Sequence, residues 1–254
     1  MNSTIASFRV SFEKRLFSES LHSFNDLCIE LFQFQYANNS TYRVYCELID
    51  VAVNEVKQYE NIPFLPISAF KTQKLRTGEF EGEAIFTSSG TSGENTSKHF
   101  VENLGVYENS FRLGFENVYG SIQDYCVLGL LPSYLERSGS SLIYMVNEMI
   151  KESKHPKSGF FLHDHGELNT VLSALAKTET KVLLIGVSFA LIDFAESYQL
   201  PKNNSLIVLE TGGMKGKRKE IIREELHDKL IQSFGVSQIH SEYGMTELLS
   251  QAYS

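Results

Sequence analysis

The longest apolar stretch of the chain limits the fold more than any other feature. It spans residues 182–195 and has the sequence VLLIGVSFALIDFA. This is shorter than the ~20 apolar residues that a membrane-spanning helix needs, and the charged Asp193 interrupts it. A buried strand that turns into a helix explains the stretch better. We therefore expect a globular chain with this strand in its core.

Strand and helix patterns alternate over much of the chain. Short apolar runs predict strands at residues 83–86, 125–131, 160–162, 181–187, 205–210 and 237–240. Apolar residues spaced by three or four predict helices at residues 104–119, 138–151, 168–176 and 217–234. This alternation predicts an α/β fold, with a mixed, partly parallel sheet flanked by helices.

The N-terminal part has helical spacing instead. The pattern runs to about Phe34 and is expected to break into two helices near Ser18 or Ser20, and a further helix is predicted at residues 41–58. Residues 61–71 contain two prolines, which indicates extended chain. Since no linker or repeat divides the sequence, we expect one domain, in which a helical region 1–60 packs on an α/β core 61–254.

Charge and cysteine content exclude some classes of partner. The 254 residues carry a formal net charge of -8, which argues against nucleic acid or an anionic membrane as the main partner, because both attract basic surfaces. Cys28, Cys46 and Cys126 are far apart and form no CxxC pair, as expected for thiols in a reducing compartment. The first residues lack the pattern of a secretory signal. These features predict a cytoplasmic protein.

A loop of small polar residues at 87–98 follows the first predicted strand. Glycines let backbone N–H groups converge on an anion, while hydroxyls and a lysine add further donors. The loop lacks the spacing of a Walker A motif. It is either a phosphate-binding loop or an ordinary surface loop. The candidate phosphate ligands are Thr87, Ser88, Ser89, Gly90, Thr91, Ser92, Gly93 and Lys98.

Residues 239–247 form a second candidate segment, which contains Tyr243, Gly244, Met245, Thr246 and Glu247. An aromatic ring can stack on a base, a hydroxyl can bind a phosphate oxygen, and a carboxylate can hold Mg²⁺. The alternative is a strand-to-helix turn in which Thr246 is the N-cap.

Between these segments, Gly212, Gly213 and Met214 follow a predicted strand. Bare backbone there leaves room for a flat ligand, although a plain turn explains the glycines equally well. The KGKRKE run that follows is more typical of the solvated start of a helix than of a phosphate clamp.

The segments FTSSGTSGENTSK and YGMTE, in this order, resemble the signatures of adenylate-forming enzymes. The residues ETGGMKGKRKE and HSEYGMTELLSQAYS are similar to the acyl-protein synthetase (LuxE-like) branch, and close to the phenylacetate–CoA ligases. The resemblance covers residues 60–254. It implies the fold of the large N-terminal domain of these enzymes, which activate a carboxylic acid with ATP and Mg²⁺ and pass the acyl group to a thiol, either a protein cysteine or CoA.

The resemblance also implies residue roles. Tyr243 and the Gly212–Met214 turn would hold adenine, the polar loop and Lys98 the β- and γ-phosphates, Thr246 the α-phosphate, and Glu247 the Mg²⁺. The sequence departs from the family pattern at Ser92, in the longer spacer before Lys98, and in ending at Ser254, before the family's C-terminal domain. The resemblance to the LuxE-like branch implies a fatty acid as the substrate. The alternatives are a nucleotide-binding module or fragment without turnover, an aryl-CoA ligase-like activity, and an acyltransferase that uses a preformed thioester.

Three weaker candidates complete the set. The acyl pocket is expected near residues 131–134 and the helix that starts near Ser138. His163, Asp164 and His165 form a polar turn or, as the alternative, a metal cluster. His240 is a candidate for the lining of the nucleotide pocket.

Overall fold

The structure is a computed structural model that describes residues 3–18, 23–88, 96–132, 136–214, 218–219 and 221–254. The chain divides into two compact units, Met1–Asn109 and Ser110–Ser254. The packing of a helical region 1–60 on a core 61–254 stays a prediction.

The first unit begins with helices. They are α1 (Ser3–Leu16), α2 (Phe24–Asn38), α3 (Ser40–Leu48) and α4 (Ala69–Thr72). The break predicted near Ser18 or Ser20 is confirmed, since α1 ends at Leu16 and the Ser23 side chain caps α2 by accepting a hydrogen bond from the Asp26 N–H at 3.1 Å. Phe32, Cys46 and Val56 form a buried cluster beneath α2 and α3.

The helix predicted at residues 41–58 is too long. Helix α3 ends at Leu48, and Asp50 adopts a left-handed conformation with φ of 53°. The chain therefore turns, and the Val51 N–H donates to the Cys46 carbonyl at 3.0 Å. This reversal lets Val51 and Val53 pack against the buried cluster. Only a 3-10 turn, Val53–Glu55, remains of the predicted second half.

Residues 61–71 are extended only in part, because α4 occupies the end of this stretch. A two-stranded antiparallel sheet follows, built from β1 (Ala84–Thr87) and β2 (Lys98–Val101). The sequence predicted β1 but missed β2. The polar segment therefore connects two strands of a hairpin instead of leading from a strand toward a helix. Phe86 is buried and contacts Tyr107, with ring centroids 5.5 Å apart.

The boundary between the units falls within α5 (Leu104–Tyr119), whose bounds match the prediction. The second unit holds a six-stranded sheet in the order β4-β3-β5-β6-β7-β8. Its strands are β3 (Tyr125–Leu130), β4 (Gly159–Phe160), β5 (Lys181–Val187), β6 (Leu206–Thr211), β7 (His240–Gly244) and β8 (Gln251–Tyr253). Its further helices are α6 (Ser141–Ser153), α7 (His165–Leu175), α8 (Ser188–Ser197) and α9 (Arg223–Phe234).

Neighbouring strands from β4 to β7 are parallel, and β8 is antiparallel to β7. The predicted mixed α/β fold is confirmed. Strand β3 is buried along its whole length and β5 from Val182 onward, as expected for inner strands covered on both faces. Among the described residues, no helix is both long enough and apolar enough to cross a bilayer.

The apolar stretch at residues 182–195 is a strand that passes into a helix, as predicted, because β5 ends at Val187 and α8 begins at Ser188. This abrupt change depends on Gly186. A Cβ atom there would lie 2.7 Å from Cδ2 of Leu191, which folds back from α8 onto the strand.

Local signals explain the ends of the other helices. The side chains of Ser140 and Asp164 cap α6 and α7 by accepting N–H groups of their first turns. Gly235 ends α9 with φ of 64°. Four predicted starts are wrong: α6 begins at Ser141 instead of residue 138, α7 at His165 instead of residue 168, α9 at Arg223 instead of residue 217, and β7 at His240, where the predicted strand was to end. Strand β8 was missed.

Candidate functional site

Two of the predicted segments meet at one edge of the sheet. Strands β6 and β7 are parallel neighbours, with Thr211 opposite Glu242 in the register. Gly212–Met214 leaves the end of β6, while Tyr243 and Gly244 complete β7. Ligands of open α/β sheets bind outside the carboxyl ends of the strands. The Gly212–Met214 turn and residues 243–247 therefore lie side by side where such a ligand binds.

The turn after β6 exposes backbone. Gly212 adopts φ of 66°, which favours glycine, and both Gly212 and Gly213 are exposed, whereas the Met214 side chain is buried. The Ser188 hydroxyl, at the start of α8, donates to the Gly212 carbonyl. The hydrogen bond from Ser188 therefore fixes the turn, while the backbone of Gly212 and Gly213 stays accessible to solvent.

Residues 245–250 connect β7 to β8 and reverse the chain. The Leu248 N–H donates to the Met245 carbonyl at 3.0 Å, which closes a turn around Thr246 and Glu247. The alternative of a strand-to-helix turn with Thr246 as N-cap is therefore wrong. The Tyr243 side chain is 64% exposed, and Thr246 and Glu247 are half-buried.

A carboxylate supports this edge from the α8 and α9 side. Glu210 accepts hydrogen bonds from the Ser188 hydroxyl at 2.9 Å and from the Ser241 hydroxyl at 2.7 Å. Arg223 donates to the Ser241 hydroxyl oxygen at 2.6 Å, and His227 Nε2 lies 3.8 Å from Glu210 Oε1. Glu210 therefore ties the start of α8 to the neighbouring strand β7.

A second carboxylate lies on the opposite face of the same strands. Glu242 is buried, with 7% of its surface exposed, and it accepts a hydrogen bond from the buried Thr211 hydroxyl. Sequence reasoning gave no role to Glu210 or Glu242. The available signal was a charged residue at the end of an apolar run, LIVLET, since a carboxylate is rarely buried unless it is paired.

The polar loop is described only at its base. The Ser88 N–H donates to the Ser97 carbonyl at 3.2 Å, and the Ser97 N–H donates to the Ser88 side-chain oxygen at 3.0 Å. Lys98 begins β2 opposite Thr87, and its side chain is exposed. Ser89, Gly90, Thr91, Ser92 and Gly93 lie outside the described residues, so their predicted role stays a prediction.

His240 faces α5, because its neighbour Ser241 points to the other side of the strand. Its Nδ1 lies 3.1 Å from the Tyr119 hydroxyl and its Nε2 lies 2.9 Å from the Gln238 side-chain nitrogen. Burial lowers the pKa of His240. The side chain thus packs against Tyr119, on the face of β7 opposite that of Tyr243, and its predicted place in the nucleotide pocket stays a prediction.

The remaining candidates have local partners. Asp164 caps α7, His163 pairs with Glu136 at 2.6 Å, and His165 packs edge-on against Phe194. Within the described ranges, no group of three or more His, Cys, Asp or Glu side chains could hold a metal ion. In the predicted acyl pocket, Leu131 is buried, while Ser133 and Tyr134 lie outside the described residues.

Comparison with known proteins connects the N-terminal half to one family. Residues 9–128 match the family model of the acyl-protein synthetase LuxE. The LuxE-like segment includes the polar loop at 87–98 and stops before β6 and β7.

Two curated relatives are each named long-chain-fatty-acid–luciferin-component ligase. One, from Vibrio harveyi, is 44% identical over 92 residues, which are 36% of this chain and 21% of the relative. The other, from Photorhabdus luminescens, is 40% identical over 68 residues, which are 26% of this chain and 58% of the relative. The similarity therefore spans only part of each relative.

Proposed function

We propose that this chain takes part in the ATP-dependent activation of a carboxylic acid, as an acid–thiol ligase of the adenylate-forming kind. The observation that carries the proposal is that the Gly212–Met214 turn and residues 243–247 share the carboxyl edge of a parallel sheet. The match of residues 9–128 to the acyl-protein synthetase LuxE supports it independently.

Adenine binds between the Tyr243 ring and the turn after β6. The ring is exposed, and Gly212 and Gly213 offer bare backbone beside it. Stacking of a base on an aromatic ring contributes about 1–3 kcal/mol in single-stranded nucleic acid complexes. Gly244 and Met245 continue this surface into the turn of the β7–β8 hairpin.

The carboxylates of this edge suit one Mg²⁺ ion. Glu210 and Glu242 are already bound to neighbouring hydroxyls, whereas Glu247 is half-buried in the turn. Proteins usually hold Mg²⁺ with one or two carboxylates together with substrate phosphates, so Glu247 fits this role. The ion, when bound, offsets the negative charge of the phosphates.

The remaining residues position the phosphates and the acid. Thr246 binds the α-phosphate. The polar loop with Lys98 holds the β- and γ-phosphates through Thr87, Ser88, Ser89, Gly90, Thr91, Ser92 and Gly93. A carboxylate oxygen of the acid attacks the α-phosphorus, and the bond from that phosphorus to the bridging oxygen breaks, releasing pyrophosphate. These residues accelerate the reaction by orientation and charge stabilisation.

The relatives' names support a long-chain fatty acid as the substrate, and the description of the matching family, acyl-protein synthetase, supports a protein as the acceptor. The acyl group then passes to a thiol, either a protein cysteine or CoA. Three free cysteines support a reducing compartment such as the cytoplasm.

Fatty-acid-dependent exchange between pyrophosphate and ATP tests the proposal. We expect Glu247→Ala to lower the exchange rate by about 10²-fold or more, as the loss of one charge-stabilising group does in other enzymes. The matched control is Glu225→Ala, since Glu225 pairs with Lys229 on the exposed surface of α9. Equal rates for the wild type and Glu247→Ala would remove Glu247 from the mechanism.

Three further measurements separate the alternatives. Titration calorimetry with ATP and Mg²⁺ that shows binding, in a chain without exchange, identifies a nucleotide-binding module without turnover. Exchange driven by phenylacetate but not by hexadecanoate identifies an aryl-acid ligase. Acyl transfer from a thioester in the absence of nucleotide would contradict the proposal.

A further inference from the structure

The buried carboxylate of Glu242 has no part in the mechanism above, although it directly precedes Tyr243. We infer that Glu242 is a positioning residue, which holds the β7–β8 hairpin in register with the turn after β6. Its catalytic consequence rests on the proposed function, but its structural consequence can be measured without nucleotide.

Glu242 first joins β7 to β6. It lies opposite Thr211 in the parallel register and accepts a hydrogen bond from the Thr211 hydroxyl, and both residues are buried. Burying a charged group is costly unless it is hydrogen-bonded. The contact therefore fixes the relative positions of the two strands one residue before Gly212 and Tyr243.

Glu242 also fixes the chain beyond Tyr243. A Cβ atom on Gly244 would lie 2.6 Å from Glu242 Oε1, so the carboxylate occupies the space that any larger residue would need. The backbone of Gly244 thus rests against the side chain of Glu242. Any shift of the carboxylate would let residues 244–247 move.

Glu242 is also a register neighbour of β8. Tyr253 lies opposite Glu242 in the antiparallel register, so the two side chains share a face of the sheet. Burial, together with the nearby charge of Glu242, raises the pKa of Tyr253. The Tyr253 ring packs edge-on against Phe115 and Tyr119, with centroids 6.2 and 5.6 Å apart. Glu242 thus bonds to β6, packs against Gly244 of its own strand and shares a face of the sheet with Tyr253 of β8.

The kinetic test compares Glu242→Ala with Glu242→Gln. Misplacing a binding group by 1 Å can cost about 10²-fold in rate, so we expect a loss of that order in kcat/KM for ATP in Glu242→Ala. Glu242→Gln keeps an oxygen that can accept from Thr211 and the same planar shape over Gly244. We therefore expect it to recover most of the activity, which a role for the charge itself in catalysis would prevent.

Gly244→Ala provides a suppressor test. Alone, its methyl group collides with the Glu242 carboxylate, and we expect a loss similar to that of Glu242→Ala. In the double variant Glu242→Ala/Gly244→Ala the methyl group has room, so the two losses should be clearly less than additive. Fully additive losses would contradict the proposed contact.

A spectroscopic readout keeps this inference separate from the proposed function. The chain has no tryptophan, so Leu248→Trp places one indole in the turn, at a position that is 41% exposed. We expect Glu242→Ala in this background to red-shift the emission and increase quenching by acrylamide, while Glu242→Gln and the surface control Glu225→Ala change neither.

If Glu242→Ala fails to fold, Thr211→Val, which removes only the donor, takes its place. Unchanged emission, quenching and exchange in the substituted chain overturn the inference. Altered emission and quenching in a chain that neither exchanges pyrophosphate nor binds ATP uphold the inference and contradict the proposed function.

Discussion

The two hairpins that carry the predicted nucleotide ligands are built very differently. In the first unit, β1 and β2 form a sheet of their own, connected by residues 88–97. In the second unit, β7 and β8 complete a six-stranded sheet, and only residues 245–250 connect them. An isolated two-stranded hairpin is marginally stable by itself. The first hairpin therefore depends on packing beneath it, whereas polar contacts on both faces of the sheet support the second.

The difference shows how each hairpin can hold its ligand groups. In the proposed site, the second presents the Tyr243 ring and the Glu247 carboxylate, and Glu210 and Glu242 support the strands that lead to them. In the same proposal, the first binds phosphate with backbone N–H groups and hydroxyls from a longer segment. Substitutions that remove the apolar packing of the first hairpin or the polar contacts of the second test whether the two hairpins are stabilised in these different ways.

Phe86→Ala should have the largest effect. Phe86 is only 1% exposed and packs on Tyr107, and it is the buried residue of β1. Removing a buried phenylalanine side chain costs about 3–5 kcal/mol. Urea unfolding should show this loss, while Ile85→Ala, which truncates the exposed neighbour, should change stability by less than about 0.5 kcal/mol. Similar losses in both variants would mean that the hairpin does not depend on this packing.

Ser188→Ala should have an intermediate effect in the second unit. It removes the hydroxyl whose one proton is shared between Glu210 and the Gly212 carbonyl, and leaves a half-buried carboxylate with fewer donors. Such a loss costs about 1–3 kcal/mol. Ser197→Ala is a matched control at the other end of α8, because its exposed hydroxyl donates to the Asp193 carbonyl of the same helix at 3.3 Å. Equal unfolding free energies for the two variants would show that this polar support is dispensable.

Tyr253→Phe should have the smallest effect and a distinct pH dependence. Among the described residues, the buried Tyr253 hydroxyl has no hydrogen-bond partner, so its removal should change stability by less than about 1 kcal/mol near pH 7. Because burial raises the pKa of Tyr253, the folded state retains the proton longer than the unfolded state does. Wild-type stability should therefore fall as the pH rises above the ordinary tyrosine pKa of about 10.

The alkaline loss should be smaller in Tyr253→Phe than in the wild type, as measured by urea unfolding between pH 8 and pH 11. Tyr119, whose pKa is raised to about 12 by burial, remains in both proteins and continues to contribute. If stability falls equally with pH in both proteins, the loss of stability at alkaline pH does not come from Tyr253.

The sequence predicted elements with long apolar patterns well and short ones poorly. Helix α5 and strand β5 have the predicted bounds, because sixteen and seven residues respectively give a clear period or a continuous apolar run. Strands β2 and β8 have four and three residues and partly exposed side chains, so no pattern distinguishes them from loop. The sequence pattern did not indicate the left-handed conformation of Asp50 either.

For the candidate site, the residue types suggest nucleotide chemistry, which stays a prediction, but they gave no sign of the residues that support the two turns. The exposed Tyr243 and the glycines after β6 were identified from their composition. Glu210 and Glu242 were not, since their roles depend on which strands lie beside them. The pairing of Thr211 with Glu242 joins residues 31 positions apart, which one sequence cannot reveal.

The sheet order also affects how this chain behaves among its own copies. The inner strands β3, β5, β6 and β7 have five to seven residues, while the outermost strands β4 and β8 have two and three. An edge strand has unpaired N–H and C=O groups that can pair with another extended peptide, and a short edge strand has few of them. The edges of this sheet therefore offer few backbone groups for β-pairing with another copy of the chain. This limits aggregation at the protein concentrations that calorimetry requires.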